Sequence, residues 1–231
     1  MTFGATVFLA GAFTLLRWAI HVRAPRFASA LGIGVLVWGG FHWLVHPFVV
    51  GTYRVDSGSM RPTLLPGDII VVGKLPLVFR SPARGDIVVL ASPEGDRVVK
   101  RVVGLPGDLV ELRRGDLFVN GAHVPEPYVS HPAPESFKLV AFGGGPIPVT
   151  SHGEEVNSPR LVAERFVAAS AAGRDALRRS PPVPVPSGCW LVLGDQRAGS
   201  SDSRRWGVVQ RRALVGTAKA VVLPLSRWSR F

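Results

Sequence analysis

Cysteine is nearly missing from this chain. Cys189 stands alone among 231 residues, which rules out an intrachain disulfide, a disulfide scaffold and a cysteine-based zinc site. Lysine is scarce too. Only Lys74, Lys100, Lys138 and Lys219 occur, so arginine carries most of a formal net charge of +11. Such a surplus suits nucleic acid or an anionic membrane surface. No helix-turn-helix, finger or aromatic RNA-binding signature is present, so no nucleic-acid partner is expected. Helical patterning is also sparse after residue 55, although 47% of the residues are apolar.

What is present early is long apolar sequence. A first run covers residues 2–16, and reaches 20 if Arg17 snorkels to water. A second covers 27–52 and holds no Asp, Glu, Lys or Arg. About 20 apolar residues cross the hydrocarbon core, so the second run spans comfortably and the first is marginal. A cleavable signal peptide is the rival reading of the first run. The missing basic leader and the basic residues that follow the run rank it lower. Arg17, Arg23 and Arg26 lie between the runs and hold that loop in the cytoplasm. The expected layout is a membrane anchor over 1–52, with segments at about 2–20 and 27–52. Residues 53–231 then form an extracytoplasmic domain at the cell membrane, whether or not the first run crosses. His42 and His46 sit four apart on the second run, but no third ligand is evident, so no metal is expected.

After Tyr53 short β-branched runs alternate with Gly, Pro and Asp. Residues 68–72, 86–90, 97–103, 109–112, 117–119, 190–193 and 218–223 read as strands, with Gly67-Asp68 and Gly85-Asp86 as turns. The expected fold class is mainly β, an antiparallel β-sheet or barrel domain behind N-terminal transmembrane helices. Ser158-Pro159 resembles a helix N-cap followed by proline at the first helical position. A helix over 159–179 is therefore expected, inside a partly helical insertion spanning about 130–182. The proline-rich stretch from Pro181 to Pro186 would end it as a stiff connector.

Two segments carry candidate chemistry. In Asp56-Ser-Gly-Ser59-Met-Arg-Pro-Thr-Leu64, a serine follows closely on the second apolar run. Alone, such a serine is an ordinary turn residue. In Arg97-Val-Val-Lys100-Arg-Val-Val-Gly104, strand alternation puts Val98, Lys100 and Val102 on one face and Arg101 on the other. Two readings stay open: an edge strand with both cations reaching water, or a lysine in an apolar pocket. The difference matters because a lysine of ordinary pKa, about 10.4, is neutral only about once in a few thousand at pH 7. Desolvation can lower that pKa by about 3–5 units. A neutral lysine can accept a proton from a serine hydroxyl. A third segment, Gly194-Asp195-Gln-Arg197-Ala-Gly-Ser200-Ser-Asp202-Ser-Arg204-Arg-Trp206-Gly207, reads as a solvated loop held by Asp–Arg pairs or as part of a site.

Together, and in this order, these segments resemble the bacterial type I signal peptidases, the leader peptidase family with a Ser/Lys dyad. Val119-Asn-Gly121 and Glu126-Pro-Tyr128 also look like that family, and the likeness covers about residues 50–128 and 186–225. The resemblance implies Ser59 as nucleophile and Lys100 as general base. It implies an oxyanion hole from the Ser57 hydroxyl and the Ser59 amide, and Ser200 orienting the lysine. Asp202 and Arg204 would form a structural ion pair, with Asp195 and Arg197 in support. Gln196 and Gly199 depart from the commonest pattern, which has Asn at both. The implied activity is a membrane-bound serine endopeptidase that removes N-terminal signal peptides from exported preproteins. It would act without cofactor or metal, cutting after small residues. A dedicated pilus or conjugation peptidase with one substrate is the alternative. A soluble self-cleaving repressor shares the chemistry but not the apolar runs, and a relative that only binds peptides would not need all four site residues. Trp206, Trp228 and Phe231, lying among arginines, are candidates to touch the bilayer.

Overall fold

The computed structural model describes residues 32, 34, 39, 40, 50–74, 80–130, 134–142, 145–150 and 176–231. The chain divides into two units, Met1–Gly51 and Thr52–Phe231. In the first, residues 32, 34, 39 and 40 are helical. The run at 2–20, nearly all of the run at 27–52, and the His42/His46 pair lie outside the described residues. Among the described residues no helix is long and apolar enough to cross a membrane.

Thirteen strands are described: β1 (Val50–Arg54), β2 (Ile69–Gly73), β3 (Ile87–Ala91), β4 (Arg97–Gly104), β5 (Val110–Arg113), β6 (Asp116–Val119), β7 (Ala122–Val124), β8 (Phe137–Phe142), β9 (Gly145–Thr150), β10 (Cys189–Leu193), β11 (Val209–Gln210), β12 (Leu214–Leu223) and β13 (Ser229–Arg230). The larger sheet runs β1-β2-β12-β3-β4-β10-β11, with β13 on β12, and the smaller runs β7-β6-β5-β8-β9. The pairs β2–β12, β12–β3, β3–β4, β4–β10, β5–β6 and β8–β9 are all antiparallel. The expected mainly β, antiparallel class is therefore what the described residues form.

One local device starts three strands. In Leu65-Pro-Gly-Asp68, Ala83-Arg-Gly-Asp86 and Leu105-Pro-Gly-Asp108, the glycine has φ of 96°, 90° and 91°. Only glycine takes that conformation without a steric cost. The aspartate carboxylate then accepts the N–H of the residue three before it, at 2.8, 2.9 and 2.6 Å. The turn and its cap thus fix where β2, β3 and β5 begin.

Alternation along the strands builds the core on both faces of the larger sheet. Val88 and Leu90 of β3, Val102 of β4, and Trp190 and Val192 of β10 pack together with Trp206. On the opposite face, Ile87 and Val89 pack with Met60, Leu64, Ile70, Val72 and Val221. Towards β10 that face gives way to a third cluster, where Val103, Leu191 and Leu193 meet Val110, Leu112, Leu117, Phe137 and Leu139 of the smaller sheet. Each fully buried Val, Leu, Ile or Phe is worth about 1.5–3 kcal/mol.

Three features depart from expectation. Residues 50–52, read as the end of the second apolar run, begin β1 instead, because Val50 and Tyr53 suit a strand and β2 offers a partner. Within the 130–182 segment, described residues form the β8–β9 hairpin, which was not expected. Of the helix expected over 159–179, only 176–179 are described, and they are helical. Trp206 belongs to the core, at 7% exposure, whereas Trp228 is 59% exposed.

Candidate active site

Lys100 lies in the middle of β4, between β3 and β10, so its strand is not an edge. Its Cα partner on β3 is Val88, and Val102 is paired with Val192 of β10. The side chain therefore leaves the sheet on the apolar face carrying Val88, Val102, Val192 and Trp190, and only 3% of the residue is exposed. The edge-strand reading is thus excluded by the sheet order.

The loop between β1 and β2 brings the serine to this lysine. Met60 and Leu64 are buried in the core and pin the loop, and Leu64 N donates to Met60 O at 2.9 Å. Ser59 is carried inward with them and is 6% exposed. Lys100 Nζ donates to Ser59 Oγ at 2.7 Å. Ser57 Oγ stands 3.2 Å from Ser59 Oγ. The N–H of Ser59 donates to no group among the described residues.

Burial drives the Lys100 amine down from 10.5 to about 8; Asp202 pulls it up, Arg204 pushes it down and Asp195 pulls it up. With a pKa of about 8, roughly a tenth of the amine is neutral at pH 7, about 300-fold more than at 10.5. The 2.7 Å contact then works in reverse, with the hydroxyl donating to the neutral nitrogen.

The segment after β10 closes over this pair. Its 3-10 turn (Arg197–Gly199) leads into helix α1 (Ser203–Trp206). Gln196 N donates to the carbonyl of Ser59 at 3.0 Å, tying the segment to the serine's own backbone. Gly194 is obligatory for a steric reason. A Cβ there would lie 2.2 Å from Ser200 Oγ and 2.6 Å from Ser59 O. Asp202 caps α1, and its carboxylate also accepts Gly194 N at 3.0 Å.

This segment is not a solvated loop: Asp195, Arg197, Asp202 and Arg204 are all buried. Asp202 and Arg204 form a two-pronged pair, with Nε to Oδ1 at 2.8 Å and Nη2 to Oδ2 at 2.9 Å. Burial pushes the Asp202 carboxyl up, but Arg204, the Gly194 N–H and the Ser200 hydroxyl outweigh it and hold it below the usual range. Arg204 also reaches Glu135 at 2.8 Å and the carbonyl of Arg197 at 2.7 Å.

Asp195 and Arg197 do not pair with each other. Asp195 takes both prongs of Arg101, at 2.8 and 2.6 Å, and the hydroxyl of Thr63 at 2.6 Å. Arg197 donates to Glu126 at 2.6 Å and to Gly194 O at 3.1 Å. Tyr128 links these two systems: its hydroxyl donates to Glu126 at 2.6 Å and the Arg101 guanidinium stacks on its ring at 3.9 Å. Sequence reasoning assigned no role to Arg101, Thr63, Glu126, Tyr128 or Glu135. The only signals were the position of Arg101 beside Lys100 and the Glu126-Pro-Tyr128 stretch. Ser200 lies against Gly194 with a buried hydroxyl directed at the Asp202 carboxylate, which it helps hold ionised, although the contact falls short of ordinary hydrogen-bond geometry. No bond from it to Lys100 is present.

A serine hydroxyl held by a buried, acid-shifted lysine beside an open N–H donor is equipped for acyl transfer, which defines the class as a serine hydrolase using lysine as base. Comparison with known proteins places it further. The family described as "Signal peptidase, peptidase S26" matches residues 26–223, and the chain belongs to that family. It is 34% identical over 73% of its length to signal peptidase I of Bacillus caldolyticus, covering 77% of that protein. It is 32% identical over 71% of its length to signal peptidase I V of Bacillus subtilis (strain 168), covering 80% of it. A probable signal peptidase I-2 of Synechocystis is 30% identical over 79% of this chain and 67% of that protein. Among solved structures, a signal peptidase I from Enterococcus faecalis V583 aligns at 27% identity with a TM-score of 0.37, covering 60% of this chain and 97% of that one.

Proposed function

We propose that this chain is a membrane-anchored serine endopeptidase that removes N-terminal signal peptides from exported preproteins, with Ser59 as nucleophile and Lys100 as base. The observation that carries the assignment of roles is the 2.7 Å contact between two buried groups, Lys100 Nζ and Ser59 Oγ. Neutral Lys100 takes the hydroxyl proton as Ser59 Oγ attacks the scissile carbonyl. The resulting oxyanion is met by the Ser59 N–H and the Ser57 hydroxyl; loss of one such donor costs about 10²–10³ in turnover. Lys100 then hands its proton to the leaving amine. A water, deprotonated by the same lysine, releases the acyl group and regenerates Ser59.

Ser200 bears on this by packing against Gly194, and its hydroxyl acts on the Lys100 amine through Asp202, the carboxylate it helps hold ionised. The three carboxylate–guanidinium systems keep the loop registered on β4. Substrates with small residues before the cut fit a site this closely covered. The apolar run at 2–20 and the second run, from residue 27 to the start of β1, supply the anchor, and Arg17, Arg23 and Arg26 keep their loop in the cytoplasm, so the β domain faces outward. Leu223, Leu225, Trp228 and Phe231 are each exposed near the end of the chain and suit contact with the bilayer surface.

The test is cleavage of a reporter preprotein in detergent by the native chain, Ser59→Ala and Lys100→Ala, with equal folded protein confirmed. Cleavage after a small residue by the native chain alone is expected. Full activity in Lys100→Ala would place the base elsewhere.

A further inference from the structure

The nucleophile loop holds a cation that the mechanism leaves unused. Arg61 is exposed, and among the described residues its guanidinium has neither hydrogen-bond nor ion-pair partner. The other arginines around the site differ: Arg101, Arg197 and Arg204 each hold a carboxylate. The two acidic side chains in the loop are both engaged elsewhere: Asp56 faces Arg54 at 3.8 Å and Asp68 holds Arg227 at 2.9 Å.

Local geometry fixes where the free charge stands. Arg61 N donates to Gly58 O at 3.0 Å, closing a tight turn. The side chain folds back over that turn, so that a Cβ on Gly58 would lie 3.2 Å from Arg61 Nε and 3.6 Å from Cζ. Gly58 separates the two serines whose hydroxyls stand 3.2 Å apart. The guanidinium therefore borders the site where a scissile carbonyl would be attacked, and it faces solvent.

We propose that Arg61 is a specificity-determining residue that reads an acidic side chain of the preprotein beside the scissile bond. This rests on the peptidase reading above. An extended peptide advances about 3.3 Å per residue. A carboxylate within two residues of the cut thus comes within reach of the guanidinium. Under the peptidase reading the residue directly before the cut is small, which leaves the second residue before the cut and the first two after it as the positions to examine. Exposed charge pairs contribute about a two- to fivefold factor each. Exchanging an attractive glutamate for a repulsive lysine should therefore change kcat/KM about tenfold at low salt and much less at high salt.

The experiment uses the full chain in detergent and reporter preproteins carrying Glu, Gln or Lys at each of those three positions in turn. The readout is the Glu-to-Lys ratio of kcat/KM within each variant, so differences in folded fraction cancel. The native chain should favour Glu about tenfold at one position or more. Arg61→Gln should bring the ratio close to one, Arg61→Glu should invert it, and 0.5 M salt should flatten all three. A native ratio near one at every position, or a ratio unchanged in Arg61→Glu, overturns the proposal while leaving the peptidase reading intact. No cleavage of any reporter by the native chain overturns both.

Discussion

Replacing Lys100 by Met should make the protein more stable while removing its activity. The lysine sits among Val88, Val102 and Val192 with 3% exposure, and burial takes its pKa from 10.5 to about 8. A fall of that size corresponds to about 3 kcal/mol against the folded state wherever the amine must be charged. Met has nearly the same length, no charge and enough flexibility to fill the same space. It forfeits the hydrogen bond to Ser59, worth about 1 kcal/mol. A net gain of about 2 kcal/mol at pH 7 is expected.

The pH dependence gives the prediction its sign. Because folding lowers this pKa, the unfolded chain binds more protons than the folded one between pH 8 and 10.5. Stability of the native protein therefore rises with pH across that window. The penalty is full below pH 8 and gone above 10.5. The advantage of the Met variant should shrink over the same interval and end slightly negative. Urea midpoints of both proteins in the same detergent, at pH 7 and stepwise to pH 10.5, measure it. Other alkaline titrations occur in both chains and cancel in the difference. A Met variant less stable than the native chain at pH 7 would refute the reasoning, as would a gap that does not change with pH. The first result would mean that the ammonium is well solvated, the second that burial does not shift it.

Three further outcomes follow from the same geometry. The native kcat/KM should rise with unit slope on a logarithmic plot as pH increases and level off near pH 8; a midpoint close to 10.5 would show an unshifted base. Gly194→Ala should lower turnover at least about 100-fold and cost about 2 kcal/mol or more in urea. Its methyl would collide with Ser200 Oγ and with the carbonyl of Ser59, and an active, equally stable variant would contradict that packing. Arg204→Met should cost about 3–5 kcal/mol because it strands the Asp202 carboxylate in the core, and Asp202→Asn added to it should recover part of the loss; strict additivity of the two changes would show that the pair is not coupled.

The unequal legibility of the site has a physical cause. Ser59, Lys100 and the Asp202–Arg204 pair each lie in a short contiguous stretch, and strand alternation alone puts Lys100 on a face with Val98 and Val102. Alternation says which side a residue takes and nothing about whether that side is covered. What covers it is the placing of β4 between β3 and β10, and β10 lies more than 80 residues further along the chain. The same limit explains why the sequence left the partners of Asp195 and Arg197 open. Asp195 and Arg197 are neighbours in one stretch, yet Asp195 bonds to Arg101, 94 positions earlier, and Arg197 to Glu126, 71 positions earlier. These long-range pairs decide the geometry of the chemistry. Hydrophobic contacts are non-directional and would let the closing segment slide on the sheet, whereas a two-pronged guanidinium–carboxylate pair tolerates little displacement. Asp195 bonds both to Thr63, four residues after Ser59, and to Arg101, next to Lys100. A single buried carboxylate thus sets the spacing between the loop that carries Ser59 and the strand that carries Lys100.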